Sequence, residues 1–342
     1  MAGVVGVVSR GSAPVDLDAG LRSLCHAPWF EGRVVAEAPG LELGLVHRPT
    51  DGVADGVFDS ESGIGAMVYG WVLRRRPTWR RLGSREVLKH YVEHGPAGLG
   101  RLDGGFVIVI ADLSARRLII ANDRTATMPL VVLEEEGLFA FAPEAKAIHA
   151  LVGRPMVVDA PGALSFLALG HALADETLIA GTRLLEPAQL IEVSLGGGAS
   201  TRATYWAPRF SPRQRLRPRD VAERVDGALH DCHRALLADR SPRTELLLTG
   251  GLDSRTTLAI CCGLGRPPDA TATWGVNDRI PRSDPAIAAS LAAAFGVPHR
   301  FIRYDADTFE RHAADWAWVS ELGSDNLGSF AAGRFLLGAD AE

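Results

Sequence analysis

The stretch Thr244–Gly263, TELLLTGGLDSRTTLAICCG, narrows the fold of this chain more than any other. An apolar run ending at Leu248 meets a tight turn, Thr249-Gly250-Gly251-Leu252-Asp253-Ser254, and then a segment with helical capacity. Strand, turn and helix in that order make an anion cradle. Paired glycines let the backbone approach a ligand closely, and the free N–H groups and positive dipole end of the helix point at the same spot. Thr249 and Ser254 add hydroxyl donors, and Asp253 can hold a magnesium ion that bridges phosphates. A loop that clamps a γ-phosphate ends in Gly-Lys-Ser/Thr, and this turn has no lysine. It reads as a pyrophosphate holder. The competing reading is an ordinary strand-to-helix turn, against which stand the flanking elements.

Those elements alternate. Asp220 to Leu237 sets Val221, Val225, Leu229, Cys232 and Leu236 on one face of a helix. Ala270–Val276 is a second buried-strand candidate, and Asp284-Pro285 offers an N-cap with proline at the first helical position. The following helix stops at Gly296, and Val297–Asp305 reads as a third strand. Alternation of this kind predicts an α/β parallel sheet covered on both faces, with ligand at the strand C-termini. His299 reads as a packed strand histidine, and Trp316 and Trp318 as core or rim.

The front of the chain has a different texture. Met1–Val8 is a glycine-punctuated β segment, followed by strand candidates at Leu41–Arg48, Gly63–Leu73, Gly105–Leu113, Arg117–Arg124 and Pro129–Glu144. Between them Ser84–Gly95 carries Val87, Leu88, Tyr91 and Val92 at helical spacing, with Ser84 as N-cap and Gly95 as stop. Ala160–Gly170 is a further helix candidate, and Gly196–Thr201 reads as a hairpin turn. Many strands with few helices predict an α+β layered sandwich. The proline- and arginine-rich segment from Ala207 to Pro218 lacks apolar periodicity and reads as a linker between two domains, which suits 342 residues.

A net charge of −5 gives no global reason to expect nucleic acid or an acidic membrane surface as partner. No uncharged apolar run reaches the roughly 18 residues of a membrane span, and Met1–Val8 has no positive flank of a signal peptide, so a cytoplasmic protein is expected. Cys25, Cys232, Cys261 and Cys262 lack zinc-ligand spacing and are expected to be buried thiols.

The turn at Thr249–Ser254 resembles the Ser-Gly-Gly-x-Asp-Ser loop of the ATP pyrophosphatases (PP-loop proteins), and Leu-Thr-Gly-Gly-Leu-Asp-Ser-Arg is most similar to their asparagine synthetase branch. The front of the chain resembles that branch's N-terminal-nucleophile amidotransferase domain. The matching pieces are the immediate N-terminal strand, Tyr69-Gly70 at the family's Asn-Gly turn, Leu102-Asp103-Gly104-Gly105-Phe106, Asn122-Asp123-Arg124 with Met128-Pro129-Leu130, and Tyr205-Trp206. The resemblance implies an amidotransferase-like domain at 1–207, a linker at 208–218 and the front part of an ATP-binding domain at 219–342. It implies ATP and Mg2+ as cofactors, held by Leu248, Thr249, Gly250, Gly251, Leu252, Asp253, Ser254 and Val276, with Asp253 on the metal and Leu248 and Val276 beside the adenine. Ser283-Asp284 is similar to the family's acidic pair, although a plain N-cap is the simpler role for Asp284.

Two departures bear on activity. The family's glutaminase uses a cysteine after the initiator methionine, whose freed amine serves as base for its own thiol; this chain has Ala2. The family's oxyanion asparagine is replaced by Tyr69. The glutaminase is therefore expected to be silent. What remains is an ATP-dependent amide-bond-forming synthetase working through an acyl-adenylate with pyrophosphate release. That pattern resembles lasso-peptide cyclases and β-lactam synthetases. Its partners would be a carboxylate-bearing substrate with an amine acceptor, a precursor peptide among the candidates. A glutamine-hydrolysing asparagine synthetase and a non-catalytic nucleotide-binding protein are the alternatives. The family's second acidic motif and later lysine are not found before Glu342, and Lys89 and Lys146 both lie in the first domain. The expectation is a fragment, a partner protein that supplies the second half, or an incomplete enzyme.

Overall fold

The computed structural model describes residues 3–10, 15–49, 52–74, 79–210, 216–237, 244–303 and 305–321. The chain divides into two compact units, Met1–Phe210 with Glu321–Asp325, and Ser211–Ser320 with Asn326–Glu342.

The first unit is built from strands β1 (Gly3–Ser9), β2 (Glu31–Ala38), β3 (Leu41–His47), β4 (Ala54–Asp59), β5 (Ile64–Arg74), β6 (Arg80–Leu82), β7 (Asp103–Asp112), β8 (Arg117–Asn122), β9 (Val131–Glu135), β10 (Leu138–Ala142), β11 (Thr182–Leu184), β12 (Gln189–Ser194) and β13 (Ser200–Thr204). Its helices are α1 (Leu17–Leu24), α2 (Ser84–His94), α3 (Pro96–Leu99), α4 (Ala145–Leu151) and α5 (Ala160–Leu169). The strands form two antiparallel sheets, ordered β11-β9-β10-β1-β3-β2 and β13-β12-β8-β7-β5-β4, with β6 alongside β5. Alternate residues of β1 explain the layering. Val4 and Val8 face the second sheet, whereas Val5 and Val7 face α1 and α4. The outer face of the second sheet packs Val68, Phe106 and Ile108 against Val87 and Tyr91 of α2. Helices thus cover the outside of a two-sheet sandwich, and strands buried on both faces read as unbroken apolar runs.

Several expectations need adjustment. The run Pro129–Glu144 is a hairpin of β9 and β10 rather than one strand. Gly83, not Ser84, caps α2, because the Ser84 hydroxyl donates to Asp55 Oδ2 at 2.7 Å and the Ser84 side chain is buried. Val92 is exposed, so the buried stripe of α2 is Val87 and Tyr91. Tyr69-Gly70 is not a turn but a kink inside β5, where Gly70 has φ +101° and pairs with Phe106. Cys232 is exposed, while Cys261 is buried and Cys25 and Cys262 are half-buried.

The second unit contains α6 (Pro218–Leu236), β14 (Glu245–Leu247), α7 (Leu252–Gly263), β15 (Ala270–Gly275), α8 (Asp284–Phe295), β16 (His299–Arg303) and α9 (Ala306–Ser320). The three strands are parallel in the order β14-β15-β16. Leu248, Leu258, Ala288, Ala292 and Val297 make the core between this sheet and the α7 and α8 helices. The predicted apolar face of α6 exists, but Val221, Val225, Leu229, Cys232 and Leu236 all lie exposed along it. Trp316 is buried and Trp318 exposed. His299 is a packed strand residue whose Nδ1 meets Thr271 Oγ1 at 2.8 Å, and burial lowers its pKa. Among the described residues no helix is long and apolar enough to cross a membrane.

Candidate functional site

The loop Thr249–Ser254 joins the C-terminal end of β14 to α7, at the edge where parallel strands present ligands. Its shape is held from within. Ser254 Oγ accepts from Thr249 N–H at 3.1 Å and meets Thr249 Oγ1 at 3.0 Å, and Thr249 Oγ1 accepts from Gly251 N–H at 3.1 Å. Gly251 is the N-cap of α7 and supplies no side chain, so no cap bond covers the first-turn amides. Leu252 and Asp253 are exposed beside them. Leu248 is fully buried in the core beneath the loop, leaving only its backbone to face a ligand, whereas Val276, one residue past β15, is exposed.

Gly250 is the most constrained residue of the loop. An added Cβ would stand 2.5 Å from Asp284 Oδ1 and 3.0 Å from Ile287 Cδ1, so a side chain here would displace the Asp284 carboxylate. Its N–H donates to Asp284 Oδ1 at 3.1 Å, while its carbonyl accepts from Arg255 Nε at 2.9 Å and from Arg255 Nη2. Asp284 is therefore not the N-cap of α8. Ser283 takes that role, its Oγ accepting from Ala286 N–H at 3.4 Å. Local pattern predicted an Asp-Pro cap; the carboxylate is instead drawn across to the loop. Among the described residues no three His, Cys, Asp or Glu side chains converge to hold a metal by themselves. A cation at Asp253 would have to share its ligands with phosphate oxygens, which suits a bound nucleotide complex. The uncapped first-turn amides and the exposed acid fit the group that the loop's pattern implies.

In the first unit the motif pieces meet at one corner, where they tie strand ends together. Asp123 accepts from the N–H groups of Phe106, Thr125 and Thr127, at 2.9–3.0 Å. Arg124 Nη1 donates to Asp103 Oδ1 at 2.7 Å. Asn122 Nδ2 donates to Glu186 O and its Oδ1 accepts from Gln189 N–H, both at 2.8 Å, and Tyr205 Oη donates to Asn122 O at 2.5 Å. These hydrogen bonds hold strand ends of the sandwich together.

The head of β1 is the other place to look for chemistry. Ala2 lies outside the described residues, but Gly3 packs on Pro143, next to Glu144. Glu144 is 4% exposed and Lys146 3%. Both Glu144 oxygens meet His26 Nε2 at 2.9 Å, and Oε2 lies 2.5 Å from Lys146 Nζ; Glu321 of the same unit lies 3.5 Å from that ammonium. Burial pushes the Glu144 pKa up, but the His26 hydrogen bond and the nearby Lys146 and His26 charges outweigh it, and the carboxyl titrates below its ordinary range. Tyr69 is 2% exposed between the sheets, and burial, with the Glu144 charge adding to it, raises its pKa. The Gly70 N–H, which follows Tyr69, donates to Val53 O at 2.6 Å. The sequence reading missed His26, Glu144 and Lys146. The available signal was Lys146, one of only two lysines, inside the apolar helix AKAIHAL.

Residues 73–206 match the glutamine amidotransferase domain family, so the first unit carries a domain of glutamine amidotransferase type. Among solved structures, the chain is similar to glutamine phosphoribosylpyrophosphate amidotransferase from B. subtilis, at 14% identity over 90% of this chain and 70% of that one, with a TM-score of 0.38. It is also similar to a structure described as the allosteric regulatory enzyme of purine biosynthesis, at 15% identity over 90% and 69%, with a TM-score of 0.39. A search of curated proteins found no match.

Proposed function

We propose that this chain carries the nucleotide-binding part of an ATP-dependent, glutamine-independent amide synthetase, working through an acyl-adenylate with release of pyrophosphate. The observation that carries the reading is the loop between β14 and α7, with uncapped helix amides and a buried glycine at which a Cβ would press on the Asp284 carboxylate. In this reading the loop's amides, with the Thr249 and Ser254 hydroxyls, hold the pyrophosphate portion of ATP. Asp253 takes the magnesium ion, which would offset phosphate charge, and the exposed Val276 backbone flanks the adenine.

The amidotransferase-type domain, on this proposal, hydrolyses no glutamine. Supporting that are Tyr69 where a carboxamide donor is needed, and a Gly70 N–H already bonded to Val53 O and so not offered to an oxyanion. With no ammonia made from glutamine, the amine sources left are the substrate itself and free ammonia; of these we assign the first, macrolactam formation on a precursor peptide. The test is calorimetric titration of the chain with ATP and magnesium. Asp253→Ala should weaken binding about tenfold or more, the effect of losing a charge-assisted contact. Unchanged affinity would overturn the reading.

A further inference from the structure

Helix α5 is built inside out for a helix on the surface of its unit. Its only polar residue, Ser165, turns toward the unit, where its hydroxyl donates to Glu176 Oε2 at 2.7 Å. The inner face is pressed close, for Gly162 is buried and a Cβ there would stand 2.0 Å from Thr177 O. Asp159 closes the N-terminus, accepting from Gly162 N–H at 3.0 Å, and its own N–H donates to Leu178 O at 2.9 Å. The opposite face is thereby held outward. At helical spacing it carries Ala160, Leu164, Leu167 and Ala168, all exposed, Leu164 by 68% and Leu167 by 81%. A helix lying against water carries charge on that side; from Ala160 to Gly170 there is none.

The apolar surface continues beyond the helix. Met156, Val157 and Val158 lead into α5 exposed, and Leu169 at its end and Leu173 beyond it are exposed too. Together these side chains leave on the order of 700 Å² open, above the roughly 300–600 Å² of the largest patch on a typical monomer and near the about 800 Å² that each partner gives to a stable complex.

We infer that this face is the self-association surface of the chain, and that its occupant is α5 of a second copy packed antiparallel across a two-fold axis. A symmetric contact needs a surface complementary to itself. The axis falls midway between Leu164 and Leu167, so that Leu164 of each copy meets Leu167 of the other. With no charge on either helix, the pairing brings no like charges together, and the antiparallel arrangement opposes the helix dipoles favourably. Ala160 and Ala168, small residues of the same stripe, let the two backbones approach.

Sedimentation equilibrium of the full chain tests this. At about 100 µM the wild type should have twice the mass of one chain, as suits an interface of near-standard area. Leu167→Glu, at a position open to water in a single chain, should weaken dimerisation about a hundredfold or more, because it buries unpaired charge in the contact. Leu164→Lys should do the same. Mixed in equal amounts, the two variants should regain the dimer, since glutamate then faces lysine in one contact and leucine faces leucine in the other. Val92→Glu, at an exposed apolar position of α2, should leave the mass unchanged. Circular dichroism checks that each variant folds. A wild type at one chain mass overturns the inference and leaves the face to a different partner. A dimer that both charged variants leave intact overturns it too, as does one that Val92→Glu disrupts equally. Variants that separate but do not recombine on mixing refute the antiparallel pairing of α5.

Discussion

Replacing Glu144 by glutamine removes one negative charge from the most deeply buried ionic cluster of the first unit. Glu144 and Lys146 are each under 5% exposed, the Lys146 ammonium lies 2.5 Å from Glu144 Oε2, and His26 contacts both carboxylate oxygens. Breaking a buried pair by removing one partner costs about 3–5 kcal/mol, because the other charge stays desolvated. Glu321, 3.5 Å from Lys146, keeps part of the compensation and places the expected loss at the lower end. For a unit of this size about 3 kcal/mol lowers the melting temperature by roughly 6–12 °C. Differential scanning calorimetry should show that shift in the transition of the first unit at neutral pH. Acidity sharpens the test. The Glu144 pKa is lowered in the folded state, so its contribution is complete above the unfolded carboxyl value near ~4.3 and lost as pH falls through the lower folded value. The gap between wild type and E144Q should therefore narrow below about pH 4. A double variant with Lys146→Met should recover much of the loss. Equal melting of E144Q and wild type at neutral pH would refute the reasoning, as would a gap that acid leaves unchanged.

The two other perturbations concern the loop and the proposed silence of the amidotransferase-type domain. Gly250→Ala would place a methyl 2.5 Å from Asp284 Oδ1 and 3.0 Å from Ile287 Cδ1, so the carboxylate is pushed off the loop or the loop shifts; titration should show ATP–magnesium affinity down about tenfold or more, with the circular dichroism spectrum unchanged. Incubation with glutamine should release no glutamate above buffer, and Tyr69→Asn should not restore release, because Ala2 offers no nucleophile and Gly70 N–H stays bonded to Val53 O; sustained glutamate production would refute the silent-domain proposal.

How far the fold could be read from residue order depends on where each element buries its surface. Runs such as Gly105–Leu113 are apolar on both sides because β7 is covered by a sheet on one face and α2 on the other, and such strands announce themselves. Edge strands do not. Glu31–Ala38 alternates charge and small residues as β2 at the sheet's rim, and Ser200–Thr204 as β13 is largely exposed; neither has a pattern to read. The amphipathic stripe of α6 correctly gave a helix, yet its valines and leucines stay partly exposed, because periodicity reports the helix and not what covers it.

The site divides along a similar line. The loop is local: strand, two glycines and helix are contiguous, so the strand–turn–helix around Thr249–Ser254 was legible from its own residues. What shapes it is not local. Asp284 reaches Gly250 across a separation of 34 residues, and a nearby-residue rule assigns it instead to the cap that Ser283 fills. His26 and Glu144 stand 118 residues apart and meet only because β1 pairs with β10, which carries Glu144 to the head of β1. The Gly70 amide is hidden in the same way, since its partner Val53 arrives with β4. Tyr69 could be recognised as a departure from one position in the sequence. That the neighbouring amide is also bonded away follows only from strand pairing, so undoing the departure at Tyr69 alone leaves the donor of the following residue still engaged.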